Sequence, residues 1–444
     1  MNSQRSTKYL TAIALASTVV LICSYIPAQN GRSLKTQLEA EAVMRDHNIL
    51  PAAARVDQYL HLLKGKNVAV FANHTSTVGD KHLIDVLRNA GIKIQVIFGP
   101  EHGFRGNADA GEYIENGMDK ATGIPVVSLY GKKRKPTKQD LRGVNVMLFD
   151  IQDVGVRFYT YISSLQDYME SALENNLPLI VLDRPNPNGF YIDGPVLEEK
   201  FKSFVGMQSV PIVYGMTIGE YAQMILREQW LSKEANQLYR NIMAAKYREG
   251  AVYFSLNVIT CANYTHKSKY ELPVKPSPNL PEMQSIYWYP STCFFEGTLL
   301  SEGRGTDKPF QVFGHPSLPK ELYSFTPTSR EGAKEPKLKN QLCYGWNLHA
   351  TQKDVLKDIS NKVQIKWLLQ AYQLFPDKDK FFIVSKKETP AETDYFFNKL
   401  AGNATLMNQI KSGATEKQIR MSWEPKISRF KQIRKKYLLY PDFN

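Results

Sequence analysis

Between residue 67 and about residue 245, short apolar β-branched runs alternate with amphipathic stretches. Runs at 67–72, 93–98, 124–129, 144–149 and 179–182 have the length and composition of buried strands. Leu83, Val86, Leu87 and Ala90 recur at helical spacing and predict a helix over 81–89, with Gly91 as its stop. A second helix is predicted over 162–174. Thr217-Ile218-Gly219-Glu220 reads as a capping box opening a third, which makes Glu220 a cap rather than a catalyst. Apolar strands alternating with helices define an α/β fold with a parallel sheet covered on both faces.

After about residue 245 the rhythm breaks. Residues 271–316 are rich in proline, glycine and aromatics, and Pro273, Pro276, Pro278, Pro281 and Pro290 argue against a long regular element there. Helical periodicity returns over 352–374 and 394–437. The expected division is 29–65 as a polar lead-in, 66–245 as the sheet domain and 246–444 as a C-terminal domain.

The first 28 residues differ from the rest. Arg5 and Lys8 precede an uncharged apolar stretch from Leu10 to Ile26, and Ala28 is a small residue at a plausible cleavage end. That is a signal-peptide pattern, short for a spanning helix, which needs about 20 residues. The expectation is an exported protein, periplasmic or anchored facing the periplasm. Cys23 offers a lipidation site, although Ile22 is not the small residue such signals carry. The other three cysteines, Cys261, Cys293 and Cys343, make no C-x-x-C pair, so neither a disulfide scaffold nor a zinc ribbon is indicated.

The net charge of the whole chain is +13, and much of the excess sits near the C-terminus in Lys426, Arg429, Lys431, Arg434, Lys435 and Lys436. Their near-helical spacing reads as a solvated helix face, and no aromatic-interleaved basic motif suggests nucleic acid. An anionic polymer is the partner that such a charge favours.

The chemistry collects at the strand ends. Asn73-His74 follows the first strand, Glu101-His102 the second, Asp150-Ile151-Gln152-Asp153 the fourth and Asp183-Arg184 the fifth. In a parallel sheet these lie on one edge, where ligands of open α/β sheets bind. A second cluster, Glu296, Glu302 and Arg304, stands among glycines in an aromatic-rich loop; the neighbouring Tyr287, Trp288 and Tyr289 suit either a sugar face or the core. There is no G-x-S-x-G elbow, Walker A loop, G-x-G-x-x-G or H-E-x-x-H motif. What remains fits glycoside hydrolysis, which needs two carboxyl groups flanking the anomeric carbon. A metal-dependent hydrolase built on His74, His102 and Asp150, or a non-catalytic muropeptide-binding protein, are the alternatives.

At these residues the chain resembles the NamZ/YbbC-type exo-β-N-acetylmuramidases. The likeness is carried by Gly99-Pro100-Glu101-His102-Gly103, by Phe149-Asp150-Ile151-Gln152-Asp153 with Arg157-Phe158-Tyr159-Thr160-Tyr161, and by Asp183-Arg184-Pro185-Asn186. It returns in Pro276-Ser277-Pro278-Asn279, Phe295-Glu296-Gly297-Thr298 and Ser301-Glu302-Gly303-Arg304-Gly305-Thr306. It implies a Rossmann-like sheet domain, a smaller α+β C-terminal domain, a site in the cleft between them, and release of N-acetylmuramic acid from the non-reducing end of peptidoglycan fragments. Glu101 is then the expected catalytic carboxylate, with Glu302, Glu296, Asp150 and Asp153 as candidates for the second acid. Asn73, His74, His102, Gln152, Asp153, Arg157, Tyr161, Asp183, Arg184, Asn279, Glu296 and Arg304 are expected around the sugar. Arg304, with Arg157 as runner-up, is expected to hold the lactyl carboxylate that distinguishes N-acetylmuramic acid from other hexosamines. No metal or other cofactor is expected.

Overall fold

Seven strands build the central sheet among the described residues: β1 (Asn67–Ala72), β2 (Lys93–Gly99), β3 (Gly117–Met118), β4 (Pro125–Ser128), β5 (Val146–Asp150), β6 (Leu179–Leu182) and β7 (Leu256–Ile259). Their order across the sheet is β3-β4-β2-β1-β5-β6-β7. Every neighbouring pair is parallel except the edge pair β3–β4. The structure is a computed structural model that describes residues 49–101, 103–104, 116–245 and 254–443. The leader at 1–28, Cys23 and the first part of the lead-in fall outside these residues.

The two-residue period of a strand sends alternate side chains to opposite faces. Ala69 and Phe71 of β1, with Met147 and Phe149 of β5, meet the Tyr161–Glu174 helix through Leu165, Tyr168 and Met169. Phe71 stacks on Phe149 at 4.9 Å, and Tyr168 closes edge-on against Phe71 at 5.2 Å. Val68, Val70 and Ala72 face the other way, with Val146 and Leu148, onto the Val56–Leu63 and Leu83–Asn89 helices. Both faces are therefore dry, which is why these strands read as continuous apolar runs. The helix expected over 81–89 starts two residues later, because His82 caps it by accepting a hydrogen bond from the Ile84 amide.

The sheet takes its last strand, β7, from residues beyond 245, so the break in rhythm there is not the end of the sheet. The proline-rich stretch also differs from expectation. It contains the ten-residue helix Met283–Thr292, with Pro290 inside it. Four of the five prolines precede that helix. Pro290 leaves the Ile286 carbonyl without its helical donor, and the Asn188 amide donates to it instead at 3.3 Å. Val312–His315, Cys343–Asn347 and Tyr323–Phe325 form a small antiparallel sheet. The Glu416–Lys435 helix carries the basic face. Lys426, Arg429, Lys431 and Lys435 are exposed as expected, but Arg434 is buried, paired with Asp442 at 2.8 Å and donating to the Gly215 carbonyl. Residues 49 to 444 form one compact unit. None of the described helices is long and apolar enough to cross a membrane. Cys261, Cys293 and Cys343 are buried free thiols.

Candidate active site

Strand β2 ends at Gly99, whose carbonyl accepts from the Leu129 amide, and Pro100 stops the ladder. A Cβ at Gly99 would stand 3.0 Å from the Phe104 amide nitrogen, so a side chain here would push the returning backbone aside by a few tenths of an ångström. Glu101 is thereby set at the carboxyl edge of the sheet. The Tyr130 hydroxyl donates to its Oε1 at 2.9 Å, and the Thr160 hydroxyl to its Oε2 at 3.2 Å. Thr160 is the cap residue of the Tyr161–Glu174 helix, so Glu101 is positioned by that helix's first turn. Burial, and then the charge of Glu101, raise the pKa of Tyr130, which keeps that hydroxyl a neutral donor.

Glu101 lines a cleft of about 430 Å³, partly open to solvent. Tyr159, Tyr161, Ser277, Asn279, Tyr289, Arg304 and Phe310 also line it. Of the aromatic triplet, Tyr289 reaches the cleft, whereas Tyr287 and Trp288 are buried in the core.

Arg304 brings in the second acidic cluster. Its loop turns at Gly303, where φ is +83° and an added Cβ would lie 2.4 Å from the Val312 carbonyl. Arg304 Nη2 sits 2.6 Å from Glu296 Oε1, and its Nε lies 3.7 Å from Glu302 Oε1. Lys337 Nζ is 2.9 Å from Glu302 Oε2 and also donates to the carbonyls of Phe295, Thr298 and Leu300. The two glutamates are driven apart electrostatically. Burial raises the pKa of Glu296, opposed by Arg304 and reinforced by the charges of Glu302 and Glu101. Burial also works against ionised Glu302, but Lys337 and Arg304 outweigh it and lower that pKa. Glu302, at 4% exposure, is thus an enclosed counter-ion, while Glu296, at 19%, keeps an open edge.

Several expected site residues turn out to build the scaffold. Asp150 is fully buried, and both its oxygens are taken by Arg184, at 2.6 and 2.8 Å. It does not line the cleft, so the structure moves Asp150 and Arg184 from the catalytic and sugar-binding sets into one internal ion pair. Asp183 accepts from the Thr217 and Tyr440 hydroxyls and from the Arg184 and Gly219 amides, tying the Ile218–Arg227 helix and the C-terminal tail to β6. Glu220 is a cap, as its spacing predicts. Gln152 donates to the Asp153 and Pro185 carbonyls. Arg157 has no carboxylate at all: it donates to the carbonyls of Pro195, Val210 and Leu400 from a fully buried position, and burial lowers its pKa to about 9. It does not line the cleft, and of the two arginines Arg304 does.

Asn279 lines the cleft, whereas Asn73, fully buried, and His74 do not. Asn73 donates to the Tyr161 hydroxyl at 2.9 Å, a His74 ring nitrogen lies 2.9 Å from the Lys275 carbonyl, and Asn279 donates to the Gly332 carbonyl. His102 lies outside the described residues. Among those described, no group of three or more His, Cys, Asp or Glu is placed to hold a metal ion.

Asp153 is buried, accepting from the Tyr214 hydroxyl and the Gly155 amide, and burial pushes its pKa up to about 6. The folded protein then holds a proton that the unfolded chain has already lost. Stability conferred by that proton is complete below about pH 4 and falls as pH rises to about 6. Asp153→Asn is expected to flatten the fall in Tm between pH 4 and 7, by up to about 3 kcal/mol of stability. A slope equal to that of the parent protein would show that Asp153 ionises alike in both states.

Tyr130, Thr160 and Lys337 were not singled out from the sequence. Thr160 lies inside a quoted motif and at a helix start, which is a usable signal. Tyr130 and Lys337 stand 29 and 35 residues from the acids they serve, and no local pattern marks them.

A parallel α/β scaffold with a carboxylate, tyrosines and an arginine converging at its carboxyl edge defines a class of protein that binds and works on ligands at that edge. The chain belongs to the exo-β-N-acetylmuramidase NamZ family: the N-terminal family model matches residues 68–284 and the C-terminal model residues 287–440. It is 34% identical to the peptidoglycan β-N-acetylmuramidase NamZ of Bacillus subtilis (strain 168), over 97% of this chain and 98% of that protein. Two DUF1343 family proteins from Bacteroides fragilis NCTC 9343 share the fold. One has a TM-score of 0.76 at 40% identity, covering 89% of this chain and 99% of its own; the other has 0.69 at 28%, covering 88% and 99%.

Proposed function

We propose that this protein is an exo-acting glycoside hydrolase that releases N-acetylmuramic acid from the non-reducing end of peptidoglycan fragments. The observation that carries this reading is Glu101, held by two hydroxyls in a cleft that Arg304 also lines, in a chain of the muramidase family. Glu101 donates its proton to the departing glycosidic oxygen, and Tyr130 and Thr160 fix its rotamer. Glu296 supplies the second carboxyl: it stands behind the cleft lining, 2.6 Å from Arg304, close enough for the charge of Glu101 to act on it. Burial raises the pKa of Glu296, which makes its carboxylate a stronger base toward an attacking water. Glu302 balances Arg304 and Lys337 and takes no direct part.

Product analysis on the disaccharide N-acetylmuramyl-N-acetylglucosamine tests the activity. Free N-acetylmuramic acid is the expected product, and an intact disaccharide would refute the reading.

The substrate's lactyl carboxylate matches the guanidinium that faces the cleft. Arg304→Ala is expected to cut the preference for muramic over N-acetylglucosamine glycosides about tenfold or more. An unchanged preference ratio would remove Arg304 from recognition. Such a substrate lies outside the cytoplasm, which agrees with the leader-like first 28 residues. Recovery of the full-length protein in the periplasmic or membrane fraction, rather than the cytosol, would bear on export.

A further inference from the structure

A second groove adjoins the cleft through two aromatic rings. The Tyr130 ring, whose hydroxyl holds Glu101, packs against Phe204 at 6.4 Å between centroids. The Phe204 carbonyl accepts from Ser163, one turn into the helix that begins at the cleft wall. Beyond Phe204 the groove opens to about 830 Å³, partly solvent, with half-buried Met207 and Trp230 on its floor. Exposed Arg134 stands over the Phe204 ring at 4.0 Å. Gln208 and Asp167 add polar groups; Gln208 is already fixed by donation to Gln166 and to the Trp230 carbonyl. An aromatic floor with a few fixed polar groups is what a saccharide ring uses: apolar C–H faces on the rings, hydroxyls on the carboxylate and amide. The guanidinium adds a place for an acid.

We propose that this groove is a second saccharide subsite on the departing side of Glu101, holding an N-acetylmuramic acid ring with its lactyl carboxylate on Arg134. This rests on the activity proposed above. In an alternating glycan the sugar after the scissile bond is N-acetylglucosamine, and the acid-bearing ring comes next, one ring further from Glu101. The groove's place, one aromatic ring beyond the Tyr130 that contacts Glu101, suits that order. The enzyme then distinguishes chain length, and it distinguishes a free lactyl carboxylate from one amidated by a stem peptide.

The test uses the full chain with three substrates: an aryl N-acetylmuramide, the peptide-free tetrasaccharide beginning with N-acetylmuramic acid, and the same tetrasaccharide bearing stem peptides. Arg134→Ala and Trp230→Ala are expected to lower kcat/KM on the peptide-free tetrasaccharide about tenfold, about 1.4 kcal/mol, and to leave the aryl substrate unchanged. Equal losses on both substrates, or none on either, would overturn the subsite. A loss confined to the peptide-bearing substrate would assign the groove to peptide and also overturn it. If the parent protein cleaves none of the three, the activity reading has failed. Calorimetry of the tetrasaccharide on Glu101→Gln protein, with and without Arg134→Ala, then still decides the groove: about tenfold weaker binding supports it, equal binding refutes it.

Discussion

Glu101→Gln is expected to lower turnover of substrates with poor leaving groups about a thousandfold, because a positioned general acid contributes roughly 10²–10⁴. Glutamine keeps the side chain's shape but has one acceptor oxygen where Glu101 has two, so it can accept from one of Tyr130 and Thr160 and must donate its amide toward the other, while losing the transferable proton. The signature is the dependence on the leaving group. An aryl muramide whose phenol departs without protonation should lose far less than the natural disaccharide. Equal losses on both would mean that Glu101 acts at the anomeric carbon rather than at the departing oxygen. The roles of Glu101 and Glu296 would then exchange. Circular dichroism should show the variant folded, since Glu101 lines a cleft partly open to solvent.

The second large effect is on folding. Asp150→Ala is expected to cost about 3–5 kcal/mol, because it leaves the Arg184 guanidinium buried without its counter-ion. What remains folded should cleave normally, which separates a structural carboxylate from a catalytic one. Arg184→Met together with Asp150→Leu should recover much of the loss, since replacing a buried pair by apolar groups is often close to neutral. Thermal unfolding of the single and double variants reads both outcomes. A stable Asp150→Ala protein with no activity would restore Asp150 to the catalytic set.

The strand–helix alternation was legible because both faces of the sheet are covered, so strands 67–72 and 179–182 carry the signal in their own composition. Strand β7 was not legible. Leu256–Ile259 is only partly buried, with exposed Asn257, and lies after the apparent break in rhythm. The Met283–Thr292 helix was masked by Pro290, whose cost is offset by Asn188, nearly a hundred residues earlier.

At the site, Glu101 stood out because a strand end has only one place to point. The acids at 150 and 183 stood out for the same reason and proved internal. A strand-end position marks residues that meet the sheet edge, not which of them the neighbouring loops then cover. Arg157 shows the limit most sharply. Its sequence offers a charge, whereas its fold uses three of its five rigid N–H groups, each aimed at a backbone carbonyl.

That arginine also bears on how the protein is inherited and cut. Two of its carbonyl partners, at 195 and 210, fall in the segment matched by the N-terminal family model; the third, at 400, falls in the segment matched by the C-terminal one. The tail does the same from the opposite direction, with Tyr440 reaching Asp183 and the Leu439 amide reaching Glu220. A gene divided at the border of the two family models would therefore yield two fragments, each with unmet polar groups in its interior. The border drawn by homology is not a seam along which this molecule can be taken apart, and a chimera exchanging one half would have to carry these partners with it.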